Sequence, residues 1–563
     1  MRHSLIGSIL ALFTGIPMMM AAADLLTPAE LWKDYDPDKG AYEEEIVKQW
    51  DQGTVHYKDF YISAYVNGEK IRMFCKYAAE KSPKKLPAML CIHGSGGQAF
   101  IEKKFIEKGY VVLSYDYTGE MKGREYYSIF PKALEHGNKN KSSWLPSSNA
   151  KSSSVYIWYA MARRALSYMA TLPEVDSGRM GAYGVSVGGT MIWQLATDKR
   201  LKAVSAFYGC GWNTYYRSFY KYQLNAPVPK NPTEQEQIDL SALAPQAYAS
   251  GIHCPVLYLS GSNDHHGTQD RSYDTLDLLP KDTPWACAQQ VRGMHDLDDV
   301  VQDLYLWMDK WVKGETMTWP KNPNSEITIG TDGIPIISIH PDCPNDVESI
   351  EIYYALHEPY NLLRNWRDAK SDVKENAWTA KLPVIDVNQY LFAYANIRYK
   401  SSIVLSTKLE AVVPSRIGKA MATDKRSNIL YQGSDGKGCF GLKIELAEGP
   451  DGVKGFKPLR NTFFTYQTND PKWIAPKNAK LTFKVYAQEK QKIKIATDGN
   501  NNYSCEFEVS PSNTWQTIVI EPQKLERVIN KKITSLPSWA QVKKIEFSGN
   551  IQHCIFTDFS WVF

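Results

Sequence analysis

The stretch Gly181-Ala182-Tyr183-Gly184-Val185-Ser186-Val187-Gly188-Gly189 constrains the fold more tightly than any other part of this 563-residue chain. It follows an apolar run of strand length and precedes Thr190 to Ala196, which suits a helix, so it reads as strand, sharp turn and helix with a serine at the apex. A serine there needs small neighbours two positions away on either side, because a side chain would collide across the turn; Gly184 and Gly188 supply them. Such a turn lifts the hydroxyl to the carboxyl edge of a sheet, beside a helix start whose free N–H groups favour negative charge. Ser186 is the predicted nucleophile.

The surrounding pattern agrees. Between Phe60 and about Glu315, apolar runs of strand length alternate with stretches of helical period, the signature of a mostly parallel sheet covered by helices. The predicted sheet runs are Leu86 to Ile92, Tyr110 to Tyr115, Arg179 to Val185, Ala203 to Tyr208, Val256 to Ser260 and Ala286 to Val291. Helices are predicted over Ser154 to Thr171 and Gln302 to Val312, where Leu304, Leu306, Trp307 and Trp311 would cover the sheet. Two insertions break the alternation, Thr118 to Ser153 and Gly211 to Gly251. Both follow the carboxyl ends of strands, the edge where open α/β sheets bind ligands, so they are expected to form a cap. Its aromatics Tyr126, Tyr127, Trp144, Trp212, Tyr215 and Tyr216 are the candidate substrate-binding residues.

A hydroxyl is a poor nucleophile unless a base removes its proton, so an acid and a histidine should follow. Val256 to Asp264 ends a strand with a carboxylate on the next turn, and Val291-Arg292-Gly293-Met294-His295 ends the following strand with an imidazole. Asp264 is therefore the predicted orienting acid and His295 the general base, with Asp270 and Asp274 as fallback acids. His93-Gly94-Ser95-Gly96-Gly97, directly after Leu86 to Ile92, sits where an oxyanion donor is needed. The N–H of Val187 and a backbone N–H near Gly94 or Ser95 are expected to hold the oxyanion, one such donor being worth roughly 3–4 kcal/mol. Asp264-His265-His266 is also readable as a metal cluster, but adjacent histidines on an extended turn point apart and no further ligand motif accompanies them. Neither a metal nor a cofactor is expected.

A single core stops growing near about 250–300 residues, so a chain of 563 must divide. From about Trp319 the pattern turns to short alternating runs separated by Pro, Gly, Asn and Asp, which reads as all-β. The expected division is 24–320 for the catalytic α/β domain, with cap insertions 118–153 and 211–251, then a β domain over 321–414 and a β-sandwich over 415–563. The first β unit carries Glu326 to Ile329, Ile334 to Ile339, Ser349 to Ala355 and Tyr390 to Tyr399. The second carries Leu481 to Ala487, Ile493 to Thr497, Thr517 to Ile520, Val542 to Phe547 and Cys554 to Trp561.

Arg2 and His3, the apolar stretch Leu5 to Met20 and Ala21-Ala22-Ala23 read as an export signal cleaved after Ala23, so a periplasmic or secreted protein is expected, free of the membrane once processed. The nine cysteines lie singly, without the spacing of a disulfide framework or a zinc site. Sixty-five basic against 61 acidic residues leave a formal charge of +4, far short of the basic surface that nucleic acid demands.

With His93-Gly94, the Ser186 turn, Asp264 and His295 in place, residues 55 to 315 resemble α/β-hydrolases of the dienelactone-hydrolase, acetyl-xylan-esterase and prolyl-oligopeptidase-like group. The resemblance implies an α/β-hydrolase fold and serine hydrolysis, and leaves the substrate open, since the group includes esterases, peptidases and lactonases. The C-terminal part more loosely resembles β-sandwich modules, immunoglobulin-like and then jelly-roll, that accompany secreted polysaccharide-processing enzymes; Phe556-Thr557-Asp558-Phe559-Ser560-Trp561 is similar to the last strand of some carbohydrate-binding modules. The expectation is an exported serine hydrolase that deacylates a glycan or an acylated small molecule through an acyl-enzyme. A serine peptidase and a glycan-binding protein with an inactive hydrolase scaffold are the rivals.

Overall fold

The computed structural model describes residues 25–212, 222, 224, 231–374, 377–435, 444–497 and 503–563. Its N-terminal half is built on strands β1 (Glu45–Gln52), β2 (Val55–Val66), β3 (Glu69–Glu80), β4 (Leu86–Ile92), β5 (Val111–Tyr115), β6 (Val175–Val185), β7 (Leu201–Phe207), β8 (Val256–Gly261) and β9 (Trp285–Gln290). They form one nine-stranded sheet in the order β1-β2-β3-β5-β4-β6-β7-β8-β9. Strands β1 to β3 are an antiparallel meander joined antiparallel to β5, and from β5 to β9 every pairing is parallel. The parallel part needs helical crossovers that bury both faces, which is why β4, β5 and β8 are near-continuous apolar runs and buried almost throughout. All six predicted sheet runs are strands.

The antiparallel meander is the part the apolar pattern under-reads. Strand β1 (EIVKQWDQ) is an edge strand, exposed along nearly its whole length, so it has no apolar run to betray it. The helix Ser154–Thr171 is capped by Ser153, whose Oγ accepts from the N–H of Val155 at 3.1 Å, and is buried on most of its surface between sheet and cap. The second predicted helix runs over Gln302–Met308 and continues as a wider π turn over Asp309–Lys313, with Trp307, Met308 and Val312 buried against the sheet.

Beyond residue 320 all strand pairings are antiparallel. A four-stranded sheet (Asn324–Ile329, Pro335–His340, Ser371–Lys374, Ala377–Lys381) and a five-stranded one (Val347–Leu356, Arg367–Ala369, Leu391–Tyr399, Val404–Ser406, Glu410–Val412) come first. Their inward residues, Ile337, Ile339, Ile352 and Ile397 among them, cluster with Trp307, Met308 and Val312, so the core of this unit is continuous with one face of the nine-stranded sheet. Two six-stranded sheets complete the chain and close on a separate core. Phe463 and Phe547 stack there with ring centroids 4.6 Å apart, while Phe483 meets Phe547 edge-on. Among the described residues, no helix is long and apolar enough to cross a membrane, and the eight cysteines are free.

Candidate active site

The serine turn forms as its residues require. Strand β6 ends at Val185, the helix Val187–Leu195 begins at once, and Ser186 between them has φ 59° and ψ −116°, a strained conformation for a residue with a Cβ. The turn closes so tightly that a Cβ on Gly184 would collide with the Gly188 carbonyl, and one on Gly188 would stand 2.5 Å from the Ile92 oxygen and 2.6 Å from that of His93. The second contact ties the turn to the loop after β4. There Gly94 lies against the serine, with a Cβ on it reaching Ser186 Cβ at 3.3 Å, and Ser95 and Val187 line the same cavity as Ser186.

That loop is clamped from the base of the cap. Asp116, buried just beyond β5, accepts from the N–H of Ser128 (2.7 Å), the hydroxyl of Thr118 (2.8 Å) and Arg124 (3.0 Å), while Arg124 also donates to the Gly97 carbonyl. His93 stacks on Tyr117 with centroids 4.4 Å apart and brings its Nε2 to 3.5 Å from Asp116. Burial works to raise the Asp116 carboxyl, but the neighbouring His93 and the bonds from Ser128 and Thr118 outweigh it and hold it below the ordinary carboxylate range. Asp116 thus remains an anion that organises the loop.

Asp264 and His295 come together from the turns after β8 and β9. Asp264 is fully buried; one oxygen accepts from the N–H groups of His266 (2.7 Å) and Gly267 (2.6 Å), and the other pairs with His295 Nδ1. The pairing places a proton on Nδ1 and leaves Nε2 as the basic nitrogen. Tyr208, directly after β7 and at φ 64°, stacks on the His295 ring with centroids 3.9 Å apart. Among the described residues no hydrogen bond joins Ser186 to His295. Instead the serine Oγ lies 3.3 Å from His266 Nδ1, and His266 Nε2 lies 3.0 Å from Thr190 Oγ1. The fallback acid Asp270 is taken up elsewhere, in a buried pair with Arg364.

A cavity of about 720 Å³ opens over Ser186, between the helix Val187–Leu195 and the two cap insertions. Trp144, 39 % exposed, forms part of its wall, backed edge-on by Trp158 at 4.9 Å and covered by the Lys139 ammonium 4.2 Å from its ring. Glu236 and Asp239, from the cap helix Glu234–Ala242, face the same space. The other cap aromatics have different fates. Tyr126 stacks on Phe74 of β3 and Tyr127 offers its carbonyl to Tyr61 of β2, both away from the cavity lining, because Ile129 pairs with Arg72 and draws this part of the insertion along the antiparallel strands. The backbone N–H of Trp212 donates to Gln246 Oε1 at 3.0 Å, and Tyr215 and Tyr216 lie outside the described residues.

Asp264, His265 and His295 each present one ligand atom within 4.8 Å of the others. A metal ion there would compete for the carboxylate and imidazole that already bond each other. Thr190, Tyr208 and the two cap carboxylates are site residues that motif reading passed over, and His266 entered it only within the metal reading. Tyr208 carried a usable signal, since it ends a predicted strand at the edge where the other site residues emerge.

Residues 74–282 match the profile of the Dienelactone hydrolase family. No curated protein matches the chain. Among solved structures, acetyl xylan esterase 1 from Thermoanaerobacterium sp. JW/SL YS485 is similar at 17 % identity and a TM-score of 0.39, over 51 % of this chain and 94 % of that one. The acetyl xylan esterase from Paenibacillus sp. R4 is similar at 15 % identity and a TM-score of 0.37, over 49 % and 90 %. The Pyrococcus horikoshii acylaminoacyl peptidase is similar at 16 % identity and a TM-score of 0.34, over 50 % and 51 %. The stretch 74–282, which carries the serine turn within the mixed nine-stranded sheet, thus resembles a Dienelactone hydrolase family domain, an α/β-hydrolase.

Proposed function

We propose that this protein is an exported serine esterase that removes acyl groups, acetyl foremost, from a glycan. The observation that carries the reading is the buried Asp264 paired with His295 Nδ1 at the sheet edge where Ser186 opens into the cavity. In this reading His295 Nε2 takes the Ser186 proton as Oγ bonds to the ester carbonyl carbon, and the N–H groups of Val187 and of Gly94 or Ser95 hold the oxyanion. The proton passes to the departing sugar oxygen as the ester bond breaks, and a water deprotonated by His295 then releases the acid and restores the serine. Trp144 offers the part of its ring left open beside Lys139 and Trp158 for apolar contact with a sugar, and the cap carboxylates offer acceptors for its hydroxyls. The leader Arg2 to Ala23 supports export.

The mature protein is expected to hydrolyse p-nitrophenyl acetate and to release acetate from acetylated xylan or pectin. Ser186→Ala and His295→Ala should each lower kcat by about 10³-fold or more. His266→Ala should leave a substantial part of the activity; if it abolishes turnover while His295→Ala does not, the base is His266. No acid released from any acetylated glycan defeats the substrate assignment. A peptidase reading draws on one observation, the cap carboxylates Glu236 and Asp239, which together suit a free peptide amine. One Glu236 oxygen is already committed to the backbone and hydroxyl of Thr233 at 2.8 and 3.0 Å, and dipeptidyl substrates assayed beside the esters decide between the two.

A further inference from the structure

The turn that carries Asp264 is gripped by the first β unit through a pair of asparagines that reach across in opposite directions. Asn361 Nδ2 donates to the Asp264 carbonyl at 2.7 Å. From the catalytic side, Asn263 Nδ2 donates to the carbonyls of Asn361 and Arg364, each at 2.9 Å. Asn263 is fully buried and Asn361 nearly so at 3 % exposure, so these bonds face little competition from water. Arg364, also buried, closes the same short segment onto the helix Gln269–Leu276 through Asp270, and holds the segment's own bend by donating to the carbonyls of Glu358 and Pro359 at 3.0 Å. The turn bearing His295 is held by the neighbouring residues: Arg292 donates to the Trp366 carbonyl at 2.8 Å and to Asp368 at 2.9 Å.

We propose that Asn361 is a positioning residue for hydrolysis, acting through the Asp264 backbone to aim the carboxylate at His295. The inference rests on the Ser186, His295 and Asp264 assignment above. It makes the segment 358–368 a working part of the site, although none of it lines the cavity. An asparagine bond to the acid's own carbonyl fixes where the carboxylate stands, and a carboxylate drawn away from the imidazole stabilises the imidazolium less. The pKa of the base then falls.

The test measures kcat, KM and the pH profile for p-nitrophenyl acetate in the full-length enzyme and in Asn361→Ala, Asn361→Asp and Asn263→Ala. Each substitution is expected to lower kcat about tenfold or more with KM within about twofold. The acid limb of kcat/KM should move to lower pH, because a less supported imidazolium deprotonates sooner. Asn361→Asp keeps the side-chain shape and removes the donor, so it carries the test should Asn361→Ala fail to fold. Combining Asn361→Ala with Asn263→Ala should cost little more than either alone, as expected of one shared clasp. Tyr273→Phe, which removes a buried 2.8 Å bond to the Thr407 carbonyl at another point of the same junction, should lower Tm without moving the acid limb. Folded Asn361 variants with unchanged kcat and acid limb, or a Tyr273→Phe limb that moves as far, would overturn the proposal. Loss of activity in Ser186→Ala tests the serine assignment separately, so an unmoved Asn361 profile then counts against the clasp alone.

Discussion

The serine turn and the paired Asp264 and His295 turns lie at one edge of one sheet, yet they are held by opposite means. The serine turn takes its shape from its own short sequence: strand β6, Gly184, Gly188 and the helix start enforce it within a few residues, with the loop after β4, the Phe207 carbonyl and His266 packed against it. The Asp264 and His295 turns, beyond the local bonds from the N–H groups of His266 and Gly267 to Asp264, are held from outside by Asn361, Arg364 and Trp366, 74 to 97 residues further along the chain. Met294 and Asp296 extend this outward, meeting Tyr466 at 3.6 Å and Arg460 at 3.5 Å. Half of this site is local in sequence and half depends on how the later domains dock.

The largest expected effect strikes the local half. Gly188→Ala puts a methyl into the Ile92 and His93 carbonyls, backbone atoms that cannot move aside, so activity should fall at least about 100-fold even in protein that stays folded. Retained activity would mean that the turn is less closed than its geometry indicates. Next comes the docked half. Arg364→Ala leaves Asp270 buried without its partner, a loss of about 3–5 kcal/mol on denaturant unfolding, while the double change Arg364→Met with Asp270→Leu should recover much of it. A loss below about 1 kcal/mol would show that the docked half does not depend on this pair.

The smallest effect concerns Asp303, fully buried where the Gln302–Met308 helix meets the first β unit, with both oxygens 3.2 Å from the N–H of Val404. Burial raises its pKa well above the ordinary carboxylate range. Below about pH 4 the group is protonated in both folded and unfolded chains; above it the unfolded chain ionises while the folded one resists, so stability is lost as pH rises towards the raised pKa. Asp303→Asn should flatten this slope, narrowing the wild type's fall in Tm between pH 4 and pH 8 by about 2–4 °C. An unchanged slope would remove Asp303 from the account of the junction.

The same inequality governed what could be read from residues alone. The parallel strands, the helix Ser154–Thr171 and the serine motif were legible because each is encoded by local periodicity or by two glycines with a steric reason to be there. Edge strand β1 was not, since exposed edges need no apolar run. Tyr126 and Tyr127 were placed in the cap by composition, and the bridge between Arg72 and Ile129 that takes them along β2 and β3 has no local signature. His266 stood in plain view beside Asp264, but its approach to Ser186 and Thr190 follows from the curl of a turn whose path is set by Asp264 accepting two backbone N–H groups. Asn361 was invisible for a simpler reason: nothing near it in sequence hints at the partner it meets.

One feature of the fold limits how this hydrolase can be rearranged. Because Trp307, Met308 and Val312 share their apolar cluster with Ile337, Ile352 and Ile397, the catalytic sheet has no finished outer surface on that side. A fragment ending near residue 320 would bare a wet, greasy wall, so any fusion, library or crystallisation effort that wants the hydrolase by itself must bring the next ninety or so residues along as its permanent back panel.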